Sequence, residues 1–249
     1  MGTNFNLGNP GFWKPVDDSC IVREKLVLHL DAADWRSYPG TGTTWKDLSG
    51  RGRNIEILAT AFNNAGRIKY MDFNGSYGCA KFQNSDFVPN AAGIVTALVW
   101  TRILTSVGNW RTLFRALSTG SPHQVIVEAG GYGIGMYSGA FRNTGYQQTS
   151  IPGWNTGKWN MLVWRWPAAS PYYQFGYNDT PSLASSVDSN ATFSSGICSI
   201  GAYNDANQNS CGTASQYWGD ISSVMMYDKY LSNAEIIQVY QSQKNRFGL

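Results

Sequence analysis

The residues best equipped for chemistry gather between Leu26 and Asn54, in LVLHLDAADWRSYPGTGTTWKDLSGRGRN. This stretch holds His29, Asp31, Asp34 and Asp47, two tryptophans and several glycines. Cleaving a glycosidic bond is the first chemistry such residues suggest. It needs two carboxyl groups flanking the bond, one a proton donor and the other a nucleophile or base. The four glutamates, Glu24, Glu56, Glu128 and Glu235, are far apart, and none has a second carboxylate two to four residues away. Asp31 and Asp34 do lie close, but they follow a strand-like run among turn residues, where aspartate commonly builds the turn. His29 and His123 are the only histidines, and neither accompanies a nucleophile motif of the G-x-S-x-G kind. His29 alternates with Leu28 and Leu30, which places it on the less buried face of a strand. The glycines of GGYGIGMYSG have no helical pattern behind them, so they form no dinucleotide cradle. Hydrolysis is therefore the weakest reading of the opening stretch, and an aspartate pair is the one form of it left open.

Binding is harder to dismiss. WNMLVWRW puts Leu162, Trp164 and Trp166 on one face of a strand and Trp159, Met161, Val163 and Arg165 on the other. One face must fill a core, and the other is free to act as an aromatic platform for sugar rings, so Trp164 and Trp166 are candidate ligand contacts. The segment YNDANQNSCG, Tyr203 to Gly212, is rich in amides and carboxylates suited to sugar hydroxyls or to calcium. Its candidates are Tyr203, Asn204, Asp205 and Asn207, although their spacing matches no EF-hand and polar turns look the same without a ligand. No cofactor is called for, calcium at that segment being the single metal the residues could serve. Cys20, Cys79, Cys198 and Cys211 show no CxxC spacing and no clustered histidines, which argues against zinc.

The elements that must position these residues are mostly strands. KLVLHLD, GIVTALVWTRIL, NWRTLFRAL, HQVIVEA, YGIGMYS, KWNMLVWRW, YYQFGYN, GICSIGAY and GDISSVMMYD are short β-type runs separated by Gly, Asn and Pro. The exception is LSNAEIIQVYQSQKNRFG, which predicts a helix. Ser232 is its N-cap, Glu235 completes a capping box, and Leu231 with Ile236 forms a hydrophobic staple. Lys244 and Arg246 fall in its last turn, with Gly248 beyond the end. Its narrow apolar stripe, Ile236, Val239 and Tyr240, suits a clamp lying on the outside of a sandwich. Aromatics and charged residues each make up 14% of the chain, too apolar a balance for disorder. A net charge of +3 with scattered Lys and Arg gives no nucleic-acid footprint, and no run approaches a membrane span.

Residues 1–24 form a separate, aperiodic arm rich in Gly, Asn and Pro, with no apolar segment of the secretory type. The expectation is a chain folded in cytoplasm with its cysteines as thiols, a Cys198–Cys211 bridge being possible only if it matures outside the cell. An arm without a core of its own can order on a neighbouring subunit. Asn4, Phe5, Phe12 and Trp13 are its candidate contacts, and the arm is expected to touch another chain rather than its own sandwich.

Taken together, several segments resemble the LamG-like, concanavalin A-like lectin/glucanase jelly rolls. The stretch from Leu26 to Asn54 resembles their opening, and MDFNGS their next strand and turn, with Asn74 where Asp is more usual. ALVWTRI, KWNMLVWRW and CSIGAY resemble their middle strands, and WGDISSVMMYDKYLSNAEIIQVYQSQKNRFGL their last strand and short helix. The resemblance covers roughly residues 25–249. SYPGTGTTWKDLSG with a terminal RFGL looks like the variety carried by structural proteins of tailed bacteriophages. It implies an all-β, two-sheet antiparallel jelly-roll sandwich with a short C-terminal helix packed outside. It further implies a non-enzymatic virion protein, a capsid decoration or a fibre or tail component, assembled in the host cytoplasm and oligomeric. Such a protein would contact other virion proteins through its arm and host glycans through its sandwich, with no nucleic acid and no membrane insertion. A free carbohydrate-binding lectin is the alternative, with a glycoside hydrolase behind it.

Overall fold

The computed structural model describes residues 20–58, 60–73, 78–83, 95–103, 111–116, 123–128, 133–137, 141–147, 157–166, 173–186, 197–202 and 217–249. These form two eight-stranded sheets in which every pairing is antiparallel. The first sheet runs β14 (Thr180–Ser186), β13 (Tyr173–Tyr177), β12 (Asn160–Trp166), β7 (Val95–Ile103), β16 (Gly219–Tyr227), β5 (Tyr70–Asp72) and β4 (Ala61–Asn63). Its eighth strand, β1 (Leu26–Asp31), pairs with residues 223–227 of β16, while β5 pairs with residues 220 and 221 of the same strand. The second sheet runs β11 (Phe141–Gln147), β10 (Gly133–Tyr137), β9 (His123–Glu128), β8 (Arg111–Ala116), β15 (Ile197–Ile200), β6 (Cys79–Gln83), β3 (Ile55–Leu58) and β2 (Thr44–Trp45). The fold is the expected two-sheet antiparallel sandwich with one C-terminal helix.

Period-two alternation decides which residues fill the space between the sheets. Ala97, Val99, Leu162, Trp164, Val224 and Met226 of the first sheet meet Trp45, Ile55, Ile57, Ala80, Leu113 and Ile200 of the second in one buried cluster. The residues between them in sequence, Leu98, Trp100, Met161, Val163, Met225 and Tyr227, enter a second cluster on the outer face of the first sheet. That face is covered by α1 (Asn233–Gln243) and the 3-10 turn Lys244–Phe247 that continues it. Ile236, Val239, Tyr240 and Phe247 supply its side of the contact. Trp100 stacks on Phe247 with ring centres 3.9 Å apart and donates its indole N–H to Gln243 Oε1.

The helix begins as its sequence predicts. Ser232 accepts from the Glu235 N–H at 3.3 Å, and Glu235 accepts from the Ser232 N–H at 2.8 Å, which closes the capping box. At the other end Gly248 takes a left-handed φ of 78°. Two arginines fasten the helix to the sheet. Arg165, fully buried, donates to Leu231 O at 3.0 Å, to Asn233 Oδ1 at 2.8 Å and to Pro181 O at 3.0 Å. Arg246 pairs with the buried Asp31 at 2.7 Å.

Three expectations are corrected here. His29 is fully buried, because the outer face of the first sheet is covered as well as the inner one. Residues 20–24, assigned to the arm, pack on the chain's own helix. Ile21 is buried in the outer cluster, Cys20 O accepts from Gln238 Nε2 at 2.9 Å, and Glu24 pairs with Lys229 at 2.7 Å. Cys79, expected as a thiol, is disulfide-bonded. The candidate arm contacts Asn4, Phe5, Phe12 and Trp13 lie outside the described residues.

Gly201 follows β15 with a left-handed φ of 84°, and a Cβ there would collide with the ring of the buried Phe73. Backbone strain and overpacking would act together at this position. Gly201→Ala is expected to destabilise the fold by roughly 2–5 kcal/mol, read as a fall in the urea midpoint with an unchanged slope.

Candidate functional site

The connection from β1 to β2, residues 32–43, is held by its own polar groups. Asp34 O accepts from the Ser37 N–H at 2.9 Å and the Tyr38 N–H at 2.8 Å, giving a single helical turn. Ser37 then ties that turn to both flanking strands. Its hydroxyl accepts from the Asp31 N–H at 3.1 Å and donates to Lys46 O at 2.6 Å. Tyr38 donates to Gly42 O at 2.9 Å and packs edge-on against Phe62 of β4, closing the far side. Gly40, with φ 95°, turns the chain beside that ring.

On this turn the Trp35 side chain stands out into solvent, 54% exposed, whereas Trp45, Trp100, Trp159 and Trp164 are buried. Beside it, the Asp34 carboxylate is fully buried and accepts from the Arg36 N–H at 2.8 Å and from the Arg36 guanidinium. An exposed indole and a guanidinium held by Asp34 thus belong to consecutive residues of a hydrogen-bonded turn. An apolar ring face can stack on the C–H face of a pyranose, and a guanidinium can donate to hydroxyl or carboxylate oxygens.

Asp47 organises the next turn. It accepts from the backbone N–H groups of His29 at 2.9 Å, Ser49 at 2.8 Å and Arg53 at 3.1 Å, as expected of an aspartate that builds a turn. With Asp31 on Arg246 and Asp34 on Arg36, all three aspartates of the opening stretch serve the backbone or a neighbouring arginine. Among the described residues no three His, Cys, Asp or Glu side chains are placed to hold a metal ion.

A second polar cluster lies on the outer face of the first sheet, beyond the end of the 3-10 turn. Arg102 sits 4.8 Å from the centre of the Tyr70 ring and 5.2 Å from that of Trp159, and pairs with Asp220. Burial pushes the Asp220 carboxyl up to about 6. The Arg102 hydrogen bond and charge pull it back, and the neighbouring Asp72 raises it further. The same burial, with Asp220 beside it, raises the Tyr70 hydroxyl. Because the Asp220 side chain is fully covered, it reaches no ligand; it positions Arg102.

Trp164, a candidate ligand contact from the sequence, is corrected. It lies wholly in the core, its ring 5.4 Å from that of Phe175. Both faces of its strand are buried, one between the sheets and one under the helix, so β12 offers no open platform at the described positions. Trp166 pairs with Val95 through its backbone, and its side chain is outside the described residues, as are Tyr203, Asn204, Asp205 and Asn207. Trp35 was not among the candidates that the sequence suggested. Its sequence signal is a tryptophan set among turn formers, out of phase with any strand.

No family model matches the chain, and no curated protein matches it. Solved structures do. A Trypanosoma rangeli sialidase in complex with sialic acid superposes with a TM-score of 0.62 at 16% identity, over 89% of this chain and 33% of the sialidase. The botulinum neurotoxin serotype D binding domain gives 0.60 at 14%, over 89% of this chain and 53% of that domain. The receptor binding domain of a botulinum neurotoxin C/D mosaic gives 0.61 at 16%, over 89% and 52%. The likeness is one of fold. The chain spans a third to about half of these neighbours' length.

Asp220 links the second cluster to pH. An acid whose folded pKa is raised holds its proton more tightly folded than unfolded. Its contribution to stability is therefore largest below about pH 4 and is lost as pH rises through about 6. The stability of the wild type relative to Asp220→Asn is expected to fall by up to about 1.4 kcal/mol per pH unit across that window. Urea midpoints of both proteins at several pH values check this, and parallel curves would refute it.

Proposed function

We propose that the chain is a non-enzymatic, lectin-like recognition module that binds glycans through the face carrying Trp35 and Arg36. The observation that carries this reading is the 54% exposure of Trp35 on a turn held rigid by Asp34, Ser37 and Tyr38. Solvating so much indole is costly unless a partner covers it, and a rigid aromatic loses little entropy on binding. The sandwich of a sialidase bound to sialic acid and of toxin binding domains is a scaffold compatible with this use. The described carboxylates favour binding over hydrolysis. Asp31, Asp34 and Asp220 are buried against arginines, Glu235 closes the helix cap, and Glu24 pairs with Lys229.

The same module in a bacteriophage particle, as a capsid decoration or a fibre or tail component, is the biological setting we favour. The reason is the resemblance of SYPGTGTTWKDLSG and the terminal RFGL to modules of phage structural proteins. Mass spectrometry of purified particles, probed for this chain's peptides, tests the setting separately from the binding.

A glycan array followed by calorimetry tests the binding. Wild type is expected to retain a defined set of glycans, and Trp35→Ala to lose at least about tenfold in affinity, the value of one stacked ring. Circular dichroism should not change, since the side chain fills no core. Wild type silent across the array, or Trp35→Ala binding as tightly, would overturn the reading.

A further inference from the structure

The turn that carries Trp35 sits where three segments meet. Its own segment, 31–46, touches 61–69 through the Tyr38 and Phe62 rings, 4.9 Å apart. It reaches 245–247 through the pair of Asp31 with Arg246 at 2.7 Å. Those two segments are joined in turn by Arg67, which donates to Asn245 O at 3.0 Å. The three contacts close a ring, so the segments form one patch of the molecule.

Charge in this patch is divided by depth. Its carboxylates, Asp31 and Asp34, are both fully buried, and each is spent on an arginine. Its cations are Arg36, Lys46, Arg67, Lys69 and Arg246. The first three are exposed and the other two partly so. No Asp or Glu stands between Glu56 and Asp72, or between Glu235 and Leu249, to offset them. Five of the chain's 19 Lys and Arg lie in the three segments, with two of its 16 Asp and Glu. That surplus equals the whole net charge of +3, so the rest of the chain is balanced and the excess stands around Trp35.

Two of these cations belong to the Trp35 turn itself. Arg36 follows Trp35 in the chain. Lys46 is tied to Ser37 twice, its N–H donating to Ser37 O at 2.8 Å and its O accepting from the Ser37 hydroxyl at 2.6 Å. Exposed like charges repel across the roughly 8–10 Å over which salt leaves a charge felt, and an anion bound among them relieves that repulsion.

We infer that the glycan held at Trp35 is an acidic one, bearing carboxylate or sulfate groups. The indole stacks on a sugar ring, and Arg36 and Lys46 meet the anionic oxygens. Arg67 and Lys69 continue the charge along the connection from β4 to β5, where a longer oligosaccharide meets them. This inference rests on the glycan-binding reading and narrows it to a substrate class.

An array of matched pairs tests it, each uronic-acid or sulfated oligosaccharide beside its carboxyl-reduced or desulfated form. In the pairs that it binds, wild type is expected to favour the acidic member by roughly threefold to tenfold at low salt, the value of one or two exposed charge contacts. The preference should shrink toward parity as sodium chloride rises to about 0.5 M. The carboxyl and sulfate pairs report separately which anion is read. Calorimetry on the tightest pair then compares variants. Lys46→Glu is expected to abolish or reverse the preference through weaker binding of the acidic member, and Trp35→Ala to weaken both members. Neutral members bound as tightly as acidic ones overturn the inference; if that binding still needs Trp35, the broader reading stands. A preference indifferent both to salt and to Lys46→Glu also overturns it. Silence of wild type toward every pair overturns both readings together.

Discussion

Strand β16 has no solvent face: all nine of its residues, Gly219 to Tyr227, are buried. Val224 and Met226 face the second sheet, while Met225 and Tyr227 face the helix. Along one side it pairs with β7, and along the other with β1 and β5 laid end to end. At about 1.5–3 kcal/mol for each large apolar side chain withdrawn from water, this strand and the helix after it contribute heavily to the cohesion of the described residues. Because β16 is among the last elements in the chain and pairs with β1, among the first, much of the first sheet waits on a long-range contact. Such topologies fold slowly for their size.

The cost of a doubly covered sheet is that polar side chains on its outer face must be satisfied from within. Arg165 meets this with the carbonyl oxygens of Leu231, Asn233 and Pro181 and the hydroxyl of Ser182, and its guanidinium also lies 4.7 Å from the centre of the Tyr230 ring. Asp31 and Arg246 meet it as a pair, and Asp220 with Arg102 as another. Pairs of this kind add little net stability over apolar residues of the same shape, but losing one partner strands a buried charge. Their value is positional. They fix where the helix starts, where the chain ends, and how Arg102 sits between Tyr70 and Trp159.

Much of this was legible in the residues. WNMLVWRW sorted correctly into two faces, the Ser232–Glu235 box marked the start of the helix, and Gly248 marked the end of the 3-10 turn that continues it. What alternation cannot say is whether a second face is open. Period two assigns parity, whereas covering a face depends on an element far away in sequence. His29 and Trp164 were misjudged for that reason, since their exposure was set by the helix and the opposite sheet. Cys79 was misjudged because its thiol state was inferred from the lack of a secretory-type segment in residues 1–24, which says nothing of what lies beside β6. Trp35 escaped notice because a single aromatic in a turn has no period to betray it.

These coverings confine where the molecule can meet a partner. On the first sheet, the outer face carries the helix and the inner face the core. On the second sheet, Thr44 and Glu56 are exposed on adjacent strands, but Lys81, the cross-strand partner of Glu56, and Ser199 beyond it are buried. Burial pulls the Lys81 ammonium down, and Glu56 partly restores it. This row is thus engaged in the protein's own packing over half its described width. Among the described residues this leaves the connections between strands as the surface for the proposed recognition, and a connection can be selective only if it is stiff. The turn at 34–38 meets that condition through Asp34 and Ser37 rather than through any hydrophobic anchor beneath Trp35. The indole can therefore be replaced without disturbing the scaffold, and whatever covers it can change while the sandwich stays the same.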